Sequence, residues 1–265
     1  MYYENKLGRI YYEVHGPENA PAIVFSHGVT MDHRTFKEQV DALKDKYRVI
    51  VWDMPYHGKS SAIDDSLHLS ATAADFLMEL LDYLKIDKAI LAGLSFGTFV
   101  SQHAASKYPA RVMAMVQISG QSLYPKRSGF LNILKPLFVI ATKIQSEKRL
   151  AKSFAKHKTI TPHTFEYLVE VFQHTGKKTY LHLTNEMIRD WVTGIPQLLK
   201  QPMLIIYGDR EFGAVKKMHQ RWHDSTPNSE IVMINNAHHI TNQDNPEEVN
   251  KAILSFLATQ LGQDR

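Results

Sequence analysis

The pentapeptide Gly93-Leu94-Ser95-Phe96-Gly97 decides the fold, because it joins an apolar run to a helical pattern. The run at residues 89–92 has the composition of a buried strand, and residues 96–108 form a helical pattern that Pro109 stops. A serine on a tight strand-to-helix turn needs small neighbours, and its hydroxyl projects above the strand end. The pentapeptide therefore predicts a nucleophile at Ser95, with a chance Gly/Ser turn as the alternative.

Apolar runs alternate with helical patterns on both sides of this turn. Continuous Val, Ile and Leu runs of this kind are typical of parallel strands covered on both faces. After Gly120 the alternation stops, and residues 121–197 show helical patterns without strands. The sequence thus predicts one α/β domain, residues 1–120 and 198–265, with a helical insertion. The predicted strands are a hairpin within residues 1–14 and the runs at 22–25, 48–52, 89–92, 112–116, 203–207 and 231–234.

The composition excludes several classes of protein. The 265 residues contain no cysteine, which removes disulfide scaffolds, thiolate nucleophiles, iron–sulfur clusters and cysteine zinc sites. No apolar run is long enough to span a membrane, and the first residues resemble no signal peptide. We therefore expect a cytoplasmic protein. The net charge of +4 is too small to predict a nucleic-acid partner.

The positive charge is concentrated in the helical insertion. Residues 121–200 hold 13 Lys and Arg against 5 Asp and Glu, a net of +8, whereas the rest holds 18 against 22, a net of −4. A solvated outer face is the commoner explanation of such a charge run. The alternatives are attraction of anionic substrates and weak contact with an anionic membrane surface.

A serine hydroxyl needs a general base, and the base needs an orienting acid. Two further polar segments follow predicted strands, Gly208-Asp209-Arg210-Glu211 and Asn235-Asn236-Ala237-His238-His239. The carboxyl ends of parallel strands border the crevice of an open sheet, so we expect these segments to meet Ser95. The order serine, acid, histidine is typical of one fold. The candidate acids are Asp209 and Glu211, and the candidate bases are His238 and His239.

With these motifs the chain resembles the α/β-hydrolase family over nearly its whole length, and within it the small serine esterases and enol-lactonases. The resemblance implies a mostly parallel eight-stranded sheet with helices on both faces and a helical cap, residues 121–197, inserted after strand 6. The motifs that carry it are Ser26-His27-Gly28-Val29, residues 53–60, the turn at Ser95, residues 207–211, and the segment from His239 to Pro246.

The resemblance implies Ser95 as the nucleophile and His239 as the general base, because the family's histidine stands seven residues before a proline, here Pro246. The family usually has an aspartate where this chain has Glu211. A glutamate can accept from the histidine N–H as well, so Glu211 is the preferred acid. Asp209 is the alternative acid, although a carboxylate there is more typical of turn stabilisation.

The tetrahedral intermediate of acyl transfer needs hydrogen-bond donors for its oxyanion. In similar proteins the backbone N–H groups at the positions of Val29 and Phe96 supply them, and a glycine such as Gly28 allows close approach. His27 is more often a structural hydrogen-bonding residue in this motif. The residues expected to line the substrate pocket are His27, Leu94, Phe130, Leu134 and Phe138.

The function predicted from these residues is hydrolysis of a small carboxylic ester or lactone through an acyl-enzyme intermediate. No metal or cofactor is implied, and the pair His219 and His223 is interpreted as a surface pair, since the glutamate of a zinc protease motif is missing. The alternatives are C–C bond, amide or thioester hydrolysis with the same residues, and a slow-turnover ligand sensor on the same fold. The sequence does not indicate an oligomeric state.

Overall fold

An eight-stranded sheet lies at the centre of the computed structural model, which describes residues 1–126, 139 and 142–262. The strands are β1 Tyr2–Asn5, β2 Gly8–His15, β3 Ala22–Ser26, β4 Arg48–Trp52, β5 Ala89–Leu94, β6 Val112–Ile118, β7 Met203–Gly208 and β8 Ser229–Ile234. Their order across the sheet is β1-β2-β4-β3-β5-β6-β7-β8. β2 is antiparallel to β1 and β4, and the remaining pairs are parallel, which confirms the predicted fold class.

The central strands are apolar at consecutive positions because both faces of the sheet are covered. Every residue of β3 and β5 is buried. On one face the core includes Leu77 and Phe99, and on the other it includes Leu43 and Ile253. Burial on both faces removes the alternation that a half-exposed strand would show.

Helices cover both faces of the sheet, and two more lie between β6 and β7. The helices bounded within the described residues are α1 Lys37–Leu43, α2 Leu69–Tyr83, α3 Gly97–Lys107, α4 Glu147–Lys156, α5 Pro162–Thr193, α6 Gly213–Asp224, α7 Thr241–Asp244 and α8 Pro246–Leu261. α8 begins at Pro246, and its cap is Asn245, whose side chain accepts the N–H of Glu248 at 3.2 Å. α2 begins at Leu69, and the hydroxyl of Ser70 in its first turn donates to Asp190.

Helices α4 and α5 lie between β6 and β7, where the sequence predicts the cap. Gly176 interrupts α5 with a positive φ of 77°, so its two halves point in different directions. The rings of Phe154 and Tyr180 pack against Phe172, with centroids 5.4 and 4.8 Å away, and so join α4 to α5. The division into body and cap stays a prediction. Among the described residues, none of the helices combines the length and apolar character needed to cross a bilayer.

Candidate active site

Ser95 occupies the turn between β5 and α3, with a positive φ of 52°. This left-handed conformation is costly for a residue with a side chain, and it is maintained by close packing around the turn. A β-carbon on Gly97 would collide with the main chain of Ser26, and one on Gly93 would collide with the main chain of Gly97. The two glycines are therefore needed for the turn that raises the Ser95 hydroxyl above the sheet.

The imidazole of His239 faces this hydroxyl from the loop after β8. Its Nε2 lies 2.9 Å from Ser95 Oγ, which is hydrogen-bond distance. The neighbouring His238 instead accepts the backbone N–H of His239 through Nδ1, at 2.8 Å. Of the two adjacent histidines, the structure brings His239 to the serine.

Glu211 lies on the other side of the same imidazole. Its Oε1 is 3.2 Å from His239 Nδ1, and the carboxylate is buried. Asp209, the alternative acid, points elsewhere: its Oδ1 accepts the backbone N–H of Ala237 at 3.1 Å, which braces the loop. The structure therefore joins Ser95, His239 and Glu211 in one chain of contacts.

His219 is a fourth residue of this cluster, and the interpretation of it as a surface residue was wrong. It is 1% exposed in α6, and its Nε2 lies 3.7 Å from Glu211 Oε2. The ring stacks on Tyr207 at 5.0 Å. The helical spacing of Val215, His219 and Trp222 could have revealed the burial, because these positions share one face of α6.

These contacts shift the pKa values of Glu211 and His239. Burial by itself would raise the pKa of Glu211, but the two imidazoles of His219 and His239 hold it well below its ordinary value. Burial lowers the pKa of His239, and the positive charge of Lys158 adds to this effect, whereas Glu211 opposes it. The lowered pKa favours the neutral imidazole, which is the form that can accept a proton.

Two backbone N–H groups next to Ser95 remain unused in the described part of the chain. Neither Val29 nor Phe96 donates its amide hydrogen to a described acceptor. Phe96 precedes the first turn of α3, where amide hydrogens have no partner within the helix. Gly28 brings the Val29 loop close, since a β-carbon on it would lie 3.4 Å from Ser95 Cβ. Both amides are available to an incoming oxygen.

A cavity of about 180 Å³ lies above Ser95. Ser95, His239 and the loop of Val29 and Met31 form one side, while α4, α5 and the segment between them contribute the remaining walls. The apolar walls suit the carbon chain of a small ligand. The lining residues are Val29, Met31, Ser95, Phe154, Lys158, Tyr180, Thr184, Met187 and His239.

This lining differs from the one expected from the sequence. His27 and Leu94 are fully buried and are not among the lining residues. His27 Nε2 accepts the N–H of Met54 at 3.0 Å and Nδ1 donates to Gly28 O at 2.9 Å, so the ring holds the Val29 loop in place. The other three expected pocket residues, Phe130, Leu134 and Phe138, lie outside the described residues.

A group of two histidines and a carboxylate lies away from this cavity. The Nε2 atoms of His68 and His103 are 2.7 and 2.8 Å from the same oxygen of Asp190. These are ligand types that zinc takes, so the group could hold a metal ion. The distances are those of hydrogen bonds. The group joins α3 and the start of α2 to α5, and the sequence did not indicate it.

Comparison with known proteins adds independent evidence on family. The sequence profile of the alpha/beta hydrolase fold family matches residues 21–246. A 3-oxoadipate enol-lactonase of Acinetobacter baylyi is 45% identical over 85 residues, 32% of this chain and 31% of that one. A carboxylesterase of Bacillus subtilis, YbfK, is 22% identical over 266 residues, 97% of this chain and 87% of that one.

A similar solved structure is the enol-lactonase from Burkholderia xenovorans. It superimposes with a TM-score of 0.82 at 21% identity, covering 97% of this chain and all of that one. An identity this low supports the fold and not the substrate. The high-identity match to the Acinetobacter enzyme likewise covers less than a third of that protein's length.

Proposed function

Because this chain belongs to the alpha/beta hydrolase fold family, we propose that it is a serine hydrolase that cleaves a carboxylic ester or lactone. One observation carries the proposal: Ser95 Oγ, His239 and Glu211 form a continuous chain of contacts of 2.9 and 3.2 Å at the base of a cavity. A nucleophile, a base within hydrogen-bond reach and an acid behind the base are the groups that acyl transfer requires.

In the first half of the reaction, Ser95 Oγ attacks the carbonyl carbon while His239 Nε2 takes the hydroxyl proton. Glu211 holds the Nδ1 proton and stabilises the imidazolium that forms. The negative charge that develops on the carbonyl oxygen is accepted by the amides of Val29 and Phe96. Each such donor is worth roughly 3 kcal/mol in the transition state. The intermediate collapses when His239 returns the proton to the leaving alcohol.

The second half of the reaction releases the carboxylic acid product. A water molecule takes the place of the alcohol, His239 removes a proton from it, and the resulting hydroxide attacks the acyl-Ser95 carbonyl. The same two amides stabilise the second oxyanion. The proton then returns to Ser95 Oγ, and the carboxylic acid leaves with the site regenerated.

Amide, thioester and C–C bond hydrolysis could use the same groups, and so could a sensor that turns over slowly. The ester or lactone reading is favoured because proteins similar to this chain carry the names carboxylesterase and enol-lactonase. The hydrolytic alternatives and the sensor are therefore retained as outcomes of the test.

The test combines a panel of small esters and lactones with a fluorophosphonate probe. We expect hydrolysis by the unchanged protein, labelling at Ser95, and loss of both in Ser95→Ala, whose fold is checked by circular dichroism. Hydrolysis that persists in Ser95→Ala, or an unlabelled Ser95, would refute the proposal. Labelling without turnover on any ester or lactone would favour the sensor or one of the other hydrolytic reactions instead.

A further inference from the structure

Lys158 lines the cavity above Ser95, in the segment between α4 and α5. Both the backbone N–H and the backbone carbonyl of Lys158 form hydrogen bonds. The Lys158 carbonyl accepts the N–H of Ile240 at 2.9 Å, and its N–H donates to the carbonyl of Ala155 at 2.9 Å. Ile240 directly follows the general base His239, so this lysine is anchored beside the catalytic loop.

No described carboxylate forms an ion pair or a hydrogen bond with the ammonium group of Lys158. The group lies 5.9 Å from the ring centroid of Phe154, which is a weak attraction at best. Glu211 is the carboxylate whose charge it experiences, and that carboxylate is occupied by His239 and His219.

The ammonium group lies on a half-buried side chain, where a counter-charge in the cavity would stabilise it. Burial lowers the pKa of Lys158 below the ordinary lysine value, and Glu211 opposes the shift. Lysines at the surface of α4, such as Lys152, are exposed and keep their hydration. Among the described basic residues between β6 and β7, Lys158 is the one that lines the cavity above Ser95.

We propose that Lys158 binds a carboxylate carried by the substrate, so that the site selects small esters or lactones that bear a negative charge. This inference rests on the proposed function and specifies the substrate class of the same site. One ammonium group balances the charge of one carboxylate, whereas a phosphate dianion would bring a second charge that it leaves unpaired. The net charge of +8 in residues 121–200 would attract such substrates toward the cavity.

Ser95 and Lys158 line the same cavity, so a small substrate bound there can contact both residues at once. The lysine takes no part in bond breaking. Its contact with the carboxylate holds the carbonyl over Ser95, and it therefore raises kcat/KM for the charged substrate alone.

The experiment uses two matched substrate pairs with the full-length protein. Acetoxybutanoate and acetoxybutanamide differ in charge on the alcohol side, and monoethyl succinate and ethyl succinamate differ in charge on the acyl side. In one pair or both, we expect kcat/KM to be roughly ten- to hundredfold higher for the charged member. Lys158→Met should abolish this preference, and Lys158→Arg should keep most of it.

Lys152→Met is the matched control, since it removes one positive charge from the exposed side of α4. It should leave the preference unchanged. The inference is refuted if the unchanged protein does not distinguish either pair, or if the preference survives in Lys158→Met. It is also refuted if Lys158→Met changes kcat/KM by the same factor for charged and neutral substrates, because the lysine would then act only through His239.

The failure of this inference can be told apart from a failure of the proposed function. If Ser95→Ala abolishes hydrolysis of every substrate in the two pairs and charge makes no difference, the serine mechanism stands and the role of Lys158 is wrong. If hydrolysis continues in Ser95→Ala, the serine mechanism itself is wrong.

Discussion

Replacing Glu211 by glutamine tests the acid of the proposed mechanism most directly. The substitution keeps the shape of the side chain and removes its charge beside His239, whose Nδ1 lies 3.2 Å away. At this distance and an effective dielectric constant of about 20, Coulomb's law gives an attraction of about 5 kcal/mol between a carboxylate and an imidazolium. The imidazolium exists only once the proton has moved, so this energy stabilises the transition state and not the resting enzyme.

A loss of this size corresponds to a fall in kcat of roughly a thousandfold to ten-thousandfold for Glu211→Gln. The glutamine amide also donates toward Nδ1, which favours the tautomer that cannot accept a proton from Ser95. The matched control is Asp209→Asn. Its side-chain oxygen can still accept the N–H of Ala237, so we expect its kcat to remain within a few-fold of the unchanged protein.

The assay is steady-state hydrolysis of one ester by the unchanged protein and both variants, with thermal unfolding as a check on folding. A larger loss in Asp209→Asn than in Glu211→Gln would refute the assignment of the acid. A loss below tenfold in Glu211→Gln would refute the electrostatic argument, because the buried carboxylate would then contribute little to the transition state.

Three further predictions concern pH and stability. The acid limb of the pH profile of kcat/KM should have its midpoint below about pH 6.5, because burial lowers the pKa of His239 and this residue accepts a proton only when neutral. A pH series with an uncharged ester measures the midpoint, and a higher value would contradict the lowered pKa of His239. Gly97→Ala should lose about 1–3 kcal/mol of unfolding free energy or more, since its β-carbon would collide with the main chain of β3. The control Gly213→Ala, whose β-carbon would have no atom within 4 Å, should not show this loss, and equal denaturation midpoints of the two variants would contradict the packing argument. Asp53→Ala should lower the free energy of unfolding in urea by about 3 kcal/mol or more, because the buried carboxylate accepts three hydrogen bonds of 2.7–2.8 Å. Asp45→Ala, at an exposed position, is the control, and similar stabilities of the two variants would contradict this prediction.

The parallel sheet could be predicted because the apolar runs and turns that define it are local in the chain. The apolar run at β5 requires burial on both faces of the sheet, and the tight turn at Ser95 requires glycines on either side of it. The structure shows β5 buried throughout and no room for a β-carbon on Gly93 or Gly97. The start of α2 was less predictable. Ser70 has the chemistry of a cap, but its hydroxyl donates to Asp190, 120 residues further along the chain. A partner so distant leaves no local signal.

The pocket was the least predictable part of the site. His27 has the polarity of a ligand contact, yet it is fully buried because both ring nitrogens hold the neighbouring loop. Lys158 follows α4 in a stretch rich in lysine, and its sequence neighbours Lys152 and Lys156 are exposed. The hydrogen bond from the N–H of Ile240 to the Lys158 carbonyl holds this residue, and not the other two, beside the cavity.

The amino-acid sequence by itself determined the α/β class and located a serine, an acid and a histidine at strand ends, because strand runs and tight turns are properties of neighbouring residues. Tertiary structure alone decided which side chains meet there. Glu211 rather than Asp209 contacts His239, and His219 lies on the other side of the Glu211 carboxylate. Lys158 lines the cavity above Ser95. These contacts join segments far apart in the chain, and only the packing of helices on the sheet brings them within a few ångströms of Ser95.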